Sequence, residues 1–261
     1  MIWGSHDMKL ALCQRHSSVN DVEKNLNTMI DDISTNDADV YVYPELFLTG
    51  YFFDRDIVEP HIRDAFERLI AISMEKDITL IFGAPEFRGN KIYNCAYIIR
   101  NGNMIAYRKI HLPNFLPFDE KERFTPGSGP IVFEHKGFRF GISICYDVFF
   151  PELMKTCSLY GTADVNVCIS ASPITSRTAF EHVLPARAVE NTTYIAFVNN
   201  IGPMGELEFF GGSRLLAPNG DCIATTDEPE ILTLELDKNC IENARKMRPV
   251  LKDTVFETIL R

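Results

Sequence analysis

The middle of the chain constrains the fold most. Apolar β-type runs at residues 78–85, 91–100, 103–110, 131–135 and 138–145 follow one another with no helical pattern between them. Asn101-Gly102 and Lys136-Gly137 are turn dipeptides that join two pairs of these runs as hairpins. On either side the pattern changes. Residues 9–13 and 40–43 are short buried strands, separated by a helical stretch over 19–33 with Val22, Leu26, Met29, Ile30 and Ile33 on one face. A second helix is expected over 57–74. After the central strands come a helix over 149–160, a strand over 164–170 and a helix over 178–190. Strands at 194–199, 212–217, 222–226 and 231–236 complete the β content, followed by a polar helix over 238–247 and an extended tail to Arg261. No G-x-G-x-x-G opens a helix, so a dinucleotide-binding fold is excluded. The pattern specifies one α/β domain with mixed sheets covered by helices.

Met1-Ile2-Trp3-Gly4-Ser5-His6-Asp7 reads as an expression scar ahead of a native start at Met8, so the fold is assigned to residues 8–261 as a single domain. The 36 acidic side chains outnumber the 26 basic ones, giving a formal charge of −10. With no local lysine or arginine cluster, that balance disfavours nucleic acid and anionic membranes as partners. No apolar run is long enough to span a bilayer. Seven cysteines without a C-x-x-C pair point to reduced thiols and a cytoplasmic setting, and no spacing of His and Cys suggests a metal site.

Cys145 stands apart from the other six. It ends the apolar alternation Phe138-Arg139-Phe140-Gly141-Ile142-Ser143-Ile144, and Asp147 and Pro151 then mark a helix start. A thiol at the head of a helix is expected to have a lowered pKa, with backbone N–H groups near any oxyanion it generates. Glu45 follows the strand Tyr41-Val42-Tyr43-Pro44, and Lys109 lies where a strand gives way to a proline-containing loop. Carboxylate, ammonium and thiol form a complete set for acyl transfer without histidine. His111 and His182 have no such partners in sequence and are expected to pack or face solvent.

These three segments resemble the motifs of the nitrilase (carbon–nitrogen hydrolase) superfamily. Pro44-Glu45-Leu46-Phe47-Leu48-Thr49-Gly50-Tyr51 is similar to its glutamate motif and Tyr107-Arg108-Lys109-Ile110-His111-Leu112 to its lysine motif. Gly141-Ile142-Ser143-Ile144-Cys145-Tyr146-Asp147 is similar to its cysteine motif, and weaker likeness continues through Pro185-Ala186-Arg187-Ala188-Val189-Glu190-Asn191 and Gly211-Gly212-Ser213. The resemblance implies a four-layer α-β-β-α sandwich, a mechanism without cofactors, and a homodimer or larger even-numbered homo-oligomer. It also implies a second glutamate that orients the lysine; Glu120 fits that position, with Glu122 as its competitor. The backbone N–H of Tyr146 is the expected second oxyanion donor. Tyr51, Phe115, Ser172 and Arg177 are candidate substrate-binding residues, with Phe52, Phe53 and Phe118 as further aromatic walls.

The Cys-Tyr-Asp sequence resembles amidase and carbamoylase branches more than true nitrilases, which tend to carry Cys-Trp-Glu. The expected activity is therefore hydrolysis of a small amide through a cysteine thioester, releasing ammonia. Alternatives are an N-carbamoyl amine or amino-acid amidohydrolase, a true nitrilase, an acyltransferase and a non-catalytic member. A glutaminase of the NAD synthetase type would need an attached synthetase domain, which this chain is expected to lack.

Overall fold

The computed structural model describes residues 8–255; the segment read as an expression scar and the last six residues lie outside it. The first sheet forms around β1 (Met8–Cys13), β2 (Val40–Val42) and β3 (Thr79–Arg88), which run parallel and are linked by α1 (Val22–Thr35) and α2 (Arg55–Lys76). Two hairpin strands, β4 (Lys91–Arg100) and β5 (Asn103–Arg108), extend it antiparallel. A single turn of helix, α3 (Glu120–Arg123), then leads to the second sheet.

That sheet repeats the plan. β6 (Val132–His135) pairs antiparallel with β7 (Phe138–Ile144), which runs parallel to β8 (Val165–Ser170) and β9 (Tyr194–Asn199) across α4 (Pro151–Leu159) and α5 (Arg177–Asn191). A small hairpin of β10 (Ile201–Met204) and β11 (Leu207–Phe210) stands apart. β12 (Ser213–Leu216) and β13 (Cys222–Thr226) complete the second sheet, while β14 (Ile231–Leu236) returns to pair with β1, and α6 (Lys238–Met247) follows. The strand orders are β14-β1-β2-β3-β4-β5 and β13-β12-β9-β8-β7-β6.

Strand alternation decides the layers. Along β1, Leu10 and Leu12 join Phe140, Ile142 and Val167 in a core between the two sheets, while Ala11 and Cys13 face Leu26 and Met29 of α1. β3 divides likewise: Ile81 points inward, and Leu80 and Phe82 pack beneath the helices. A sheet buried on both faces needs helices outside and a second sheet inside, which gives the α-β-β-α sandwich.

Where the elements differ from expectation, local chemistry explains it. α1 starts at Val22 because the Asp21 side chain accepts from Lys24 N–H at 3.0 Å and caps it. The segment after Cys145 is a 3-10 turn over Cys145–Phe149, and α4 starts only at Pro151, since a residue before proline avoids the helical region. The β10–β11 hairpin was not expected: Gly202 and Pro203 inside its first strand mask the β pattern.

The carboxyl ends of β2, β7, β8 and β9 gather at one end of the sandwich, the region where open parallel sheets place their ligands. Gly83 on β3 permits that convergence. A Cβ there would lie 2.0 Å from the backbone N of Leu46 and 2.6 Å from Cα of Glu45. Gly83→Ala is therefore expected to lose about 2–3 kcal/mol of stability in denaturant unfolding. Gly129→Ala, with nothing within 4 Å of the new Cβ, should stay within about 0.5 kcal/mol.

Candidate active site

Glu45 leaves β2 just before Leu46, which sits at φ +51°, so the chain turns sharply after it. The backbone is pinned to the opposite sheet: Glu45 N–H donates to the Ser170 carbonyl, and Asn200 Nδ2 donates to the Glu45 carbonyl at 2.9 Å. Its carboxylate is fully buried. Oε1 accepts from Asn94 Nδ2 and Lys109 Nζ, each at 2.7 Å, and Oε2 accepts from Ala171 N–H at 2.7 Å.

Lys109 follows β5 and is as buried as Glu45. Its N–H donates to Asn94 O, and its carbonyl accepts from Gly127 N–H, both at 2.8 Å. The ammonium lies between two carboxylates, 2.7 Å from Glu45 Oε1 and 2.8 Å from Glu120 Oε1. Burial pulls its pKa down, but the charges of Glu120 and Glu45, with the hydrogen bond to Glu120, hold it well above the ordinary lysine value. Of the two candidate glutamates, Glu120 is the buried one and Glu122 is exposed. Tyr51 Oη donates to Glu120 Oε1 at 2.7 Å, while Oε2 has no partner among the described residues. Burial, with the charge of Glu45, raises the Glu120 pKa despite the lysine.

Cys145 opens the 3-10 turn at φ +47°, a conformation that costs a residue with a side chain about 1–2 kcal/mol. Its neighbours hold it there. Asp147 Oδ2 accepts from Ile144 N–H at 3.1 Å and from Tyr107 Oη at 2.7 Å. Asp147 Oδ1 takes the His111 backbone N–H at 2.9 Å and the His111 ring at 2.8 Å, and that ring stacks on Phe150 at 3.6 Å. Arg187 of α5 donates to the Val148 carbonyl at 2.7 Å, closing the far side of the turn. The Sγ atom is 3.2 Å from Ser172 Oγ, which is 2.7 Å from Ser170 Oγ. Asn199 fixes Ser172 by accepting its N–H at 2.8 Å and donating to its carbonyl at 3.1 Å.

One expectation is reversed. The thiol pKa is not lowered: burial first, and the Glu45 charge second, push it up to about 12, against a smaller opposing effect of Lys109. A single five-residue turn has too little dipole to offset these effects.

A cavity of about 250 Å³ opens over Cys145. Tyr146, Phe115 and Ser172 line it, with Pro113, Phe118, Phe149, Phe180, Ala179, Thr175 and Ser176. Tyr51 is elsewhere, held under Glu120, and Phe52 and Phe53 lie beside Arg123. Arg177 is not among the lining residues: its guanidinium is committed to Glu181 at 3.0 Å and Asp227 at 3.1 Å, because the start of α5 turns it outward. His182 is exposed. Sequence reasoning missed the polar supports Asn94, Asn199, Asn200 and Ser170. Single amides and hydroxyls at strand ends carry no periodic signal. All seven cysteines are free, and among the described residues no group of His, Cys, Asp and Glu could hold a metal. None of the described helices is long and apolar enough to cross a membrane.

Known proteins resemble this chain in sequence and in fold. The model of the family described as carbon-nitrogen hydrolase matches residues 9–246. A glutamine-dependent NAD(+) synthetase of Aquifex aeolicus is 31% identical over 242 residues, 88% of this chain and 42% of the synthetase. The chain thus spans about two fifths of that relative's length. A nitrilase of Pyrococcus abyssi is 29% identical over 97% of this chain and 100% of its own. Among solved structures, an amidase of Nesterenkonia AN1 from the nitrilase superfamily superposes with a TM-score of 0.84 at 29% identity, covering 98% of this chain and 96% of that one. A variant of the same amidase is solved in complex with butyramide, with 30% identity, coverage of 94% and 96%, and a TM-score of 0.81.

Two outcomes follow from this geometry. Methylthiolation of Cys145 by methyl methanethiosulfonate, located by peptide mass spectrometry, should accelerate from about pH 7 to about pH 10 without levelling off. A plateau below about pH 8 would show a thiol already ionised. Asp147→Asn would turn its amide N–H groups toward two of the donors it now accepts. It should cost about 2 kcal/mol in urea unfolding.

Proposed function

The chain belongs to the carbon–nitrogen hydrolase family, and from that premise we propose that it hydrolyses a small primary amide through a thioester on Cys145, releasing ammonia. The observation that carries this reading is the fully buried Lys109, held between Glu45 and Glu120 beside a thiol that lines an open cavity. Such an arrangement is costly to bury and has no structural need for a cysteine. The amide ligand of the similar Nesterenkonia amidase supports an amide over a nitrile.

The proposed cycle starts with a protonated thiol, in keeping with its raised pKa. Sγ attacks the amide carbonyl carbon as its proton passes to Glu45, whose Oε2 still has a lone pair beyond the Ala171 bond. The carbonyl oxygen takes the electron pair and is held by the Lys109 ammonium and the Tyr146 N–H. Collapse of the tetrahedral adduct re-forms the carbonyl and expels the amine, to which Glu45 returns the proton, so ammonia leaves and a thioester remains. Glu45 then removes a proton from water as its oxygen attacks the thioester; the new adduct collapses with cleavage of the C–S bond, and sulfur takes the proton back from Glu45 as the carboxylic acid departs. Glu120 keeps the ammonium in place from the far side, and Tyr51 holds Glu120.

Ammonia release from a panel of short primary amides tests the reading. Cys145→Ala should abolish turnover, and Lys109→Met should lower kcat by about 10²–10³-fold while the fold persists by circular dichroism. Full activity in Cys145→Ala would sink it.

A further inference from the structure

The walls of the cavity are aromatic and uncharged. Phe115, Phe118, Phe149 and Phe180 surround the space over Cys145, and Thr175 and Ser176 supply hydroxyls at its margin. Among the described residues no lysine, arginine, histidine, aspartate or glutamate lines it. Lys109, beside the thiol, and Arg177, next in the chain to the lining residue Ser176, are both committed. Lys109 is fully buried between two carboxylates, and Arg177 at the start of α5 is paired with Glu181 and Asp227.

We propose that this site takes primary amides whose acyl group is uncharged and apolar, branched aliphatic or a single aromatic ring, and rejects amides carrying a carboxylate. The proposal rests on the hydrolytic reading above for its chemistry, but the recognition it describes can be measured without turnover. A carboxylate placed among four phenylalanine rings would lose its water and find no counter-ion. An alkyl or aryl group there exchanges water for ring contacts. The inner wall is fixed: Phe180 is buried and meets Phe149 edge-on at 5.1 Å and Phe197 at 5.2 Å. The outer wall, Phe115, is half exposed and leans on Phe118 at 5.7 Å and Tyr146 at 5.4 Å. A volume of about 250 Å³, below the roughly 300–1,000 Å³ of sites for drug-sized ligands, suits one compact group. Glutamine, on which the Aquifex aeolicus synthetase is named as dependent, carries both a carboxylate and an ammonium. By this criterion it is a poor substrate here.

The test uses an isosteric pair, 4-methylpentanamide and succinamate, in which an isopropyl group replaces a carboxylate. The expected kcat/KM ratio is at least about a hundredfold in favour of 4-methylpentanamide, with phenylacetamide on its side and glutamine on the other. A ratio near one, or succinamate or glutamine preferred, overturns the proposal. The same compounds are also compared as protectants of Cys145 against methyl methanethiosulfonate, which needs no hydrolysis. Protection by 4-methylpentanamide and not by succinamate supports the proposal even where no amide turns over, an outcome that would sink the hydrolytic reading alone. Equal protection by both, or by neither, overturns it. Thr175→Arg at the exposed margin supplies the missing counter-ion and should narrow the ratio about tenfold by raising succinamate turnover or protection; no change in either readout counts against the charge argument.

Discussion

Everything near the carboxyl ends of the parallel strands is arranged around one ammonium group kept charged out of reach of water. Lys109 is fully buried, and its Nζ is less than 3 Å from an oxygen of each of two glutamates that are almost as buried. Removing one partner from such a cluster costs about 3–5 kcal/mol, because the remaining charge stays buried without compensation. The cluster therefore depends on its neighbours being immobile. Asn94, Ala171 N–H and Tyr51 supply the hydrogen bonds that let both carboxylates stay in place. Around them an apolar shell of Leu46, Leu112, Phe124, Met204 and Phe209 keeps water away. The β10–β11 hairpin contributes Met204 and Phe209 to that shell.

The same electrostatics settles the state of the thiol. A low-dielectric pocket with more carboxylate than ammonium does not ionise a cysteine; it keeps the proton on sulfur until a substrate arrives. On the cycle proposed above, nucleophilicity is generated at the moment of attack, by transfer to Glu45, and is not stored beforehand. A resting thiol of this kind is also less open to oxidation than a standing thiolate.

Much of this was readable in the sequence, and what was not has a physical reason. Glu45, Lys109 and Cys145 each stand where an apolar strand stops, so their positions follow from alternation and from the motifs around them. Glu120 was separable from Glu122 only by resemblance, because burial of one glutamate on a single helical turn is a tertiary outcome. Tyr51 and Arg177 show the limit of placing side chains from local sequence. The first serves Glu120 from below the site, and the second is drawn to Asp227, far along the chain. The rise in the Cys145 pKa was illegible for the same reason: the helix-start pattern is local, while burial and the charge of Glu45 come from a different sheet. Arg187 marks the opposite case. The segment around it carried a recognisable pattern, and its task became visible only when its guanidinium was seen holding the Val148 carbonyl.

Glu45 and Lys109 belong to one sheet, and Cys145 and Ala171 belong to the other. The chemistry is therefore stretched across a seam. Asp147 stitches that seam a second time, binding Tyr107 on one side and the cysteine turn on the other. A fluctuation that lets the layers slip separates carboxylate and ammonium from sulfur in a single motion. On the reading proposed above, a partly loosened molecule carries an idle cysteine, parted from its carboxylate and its ammonium, not a misdirected one.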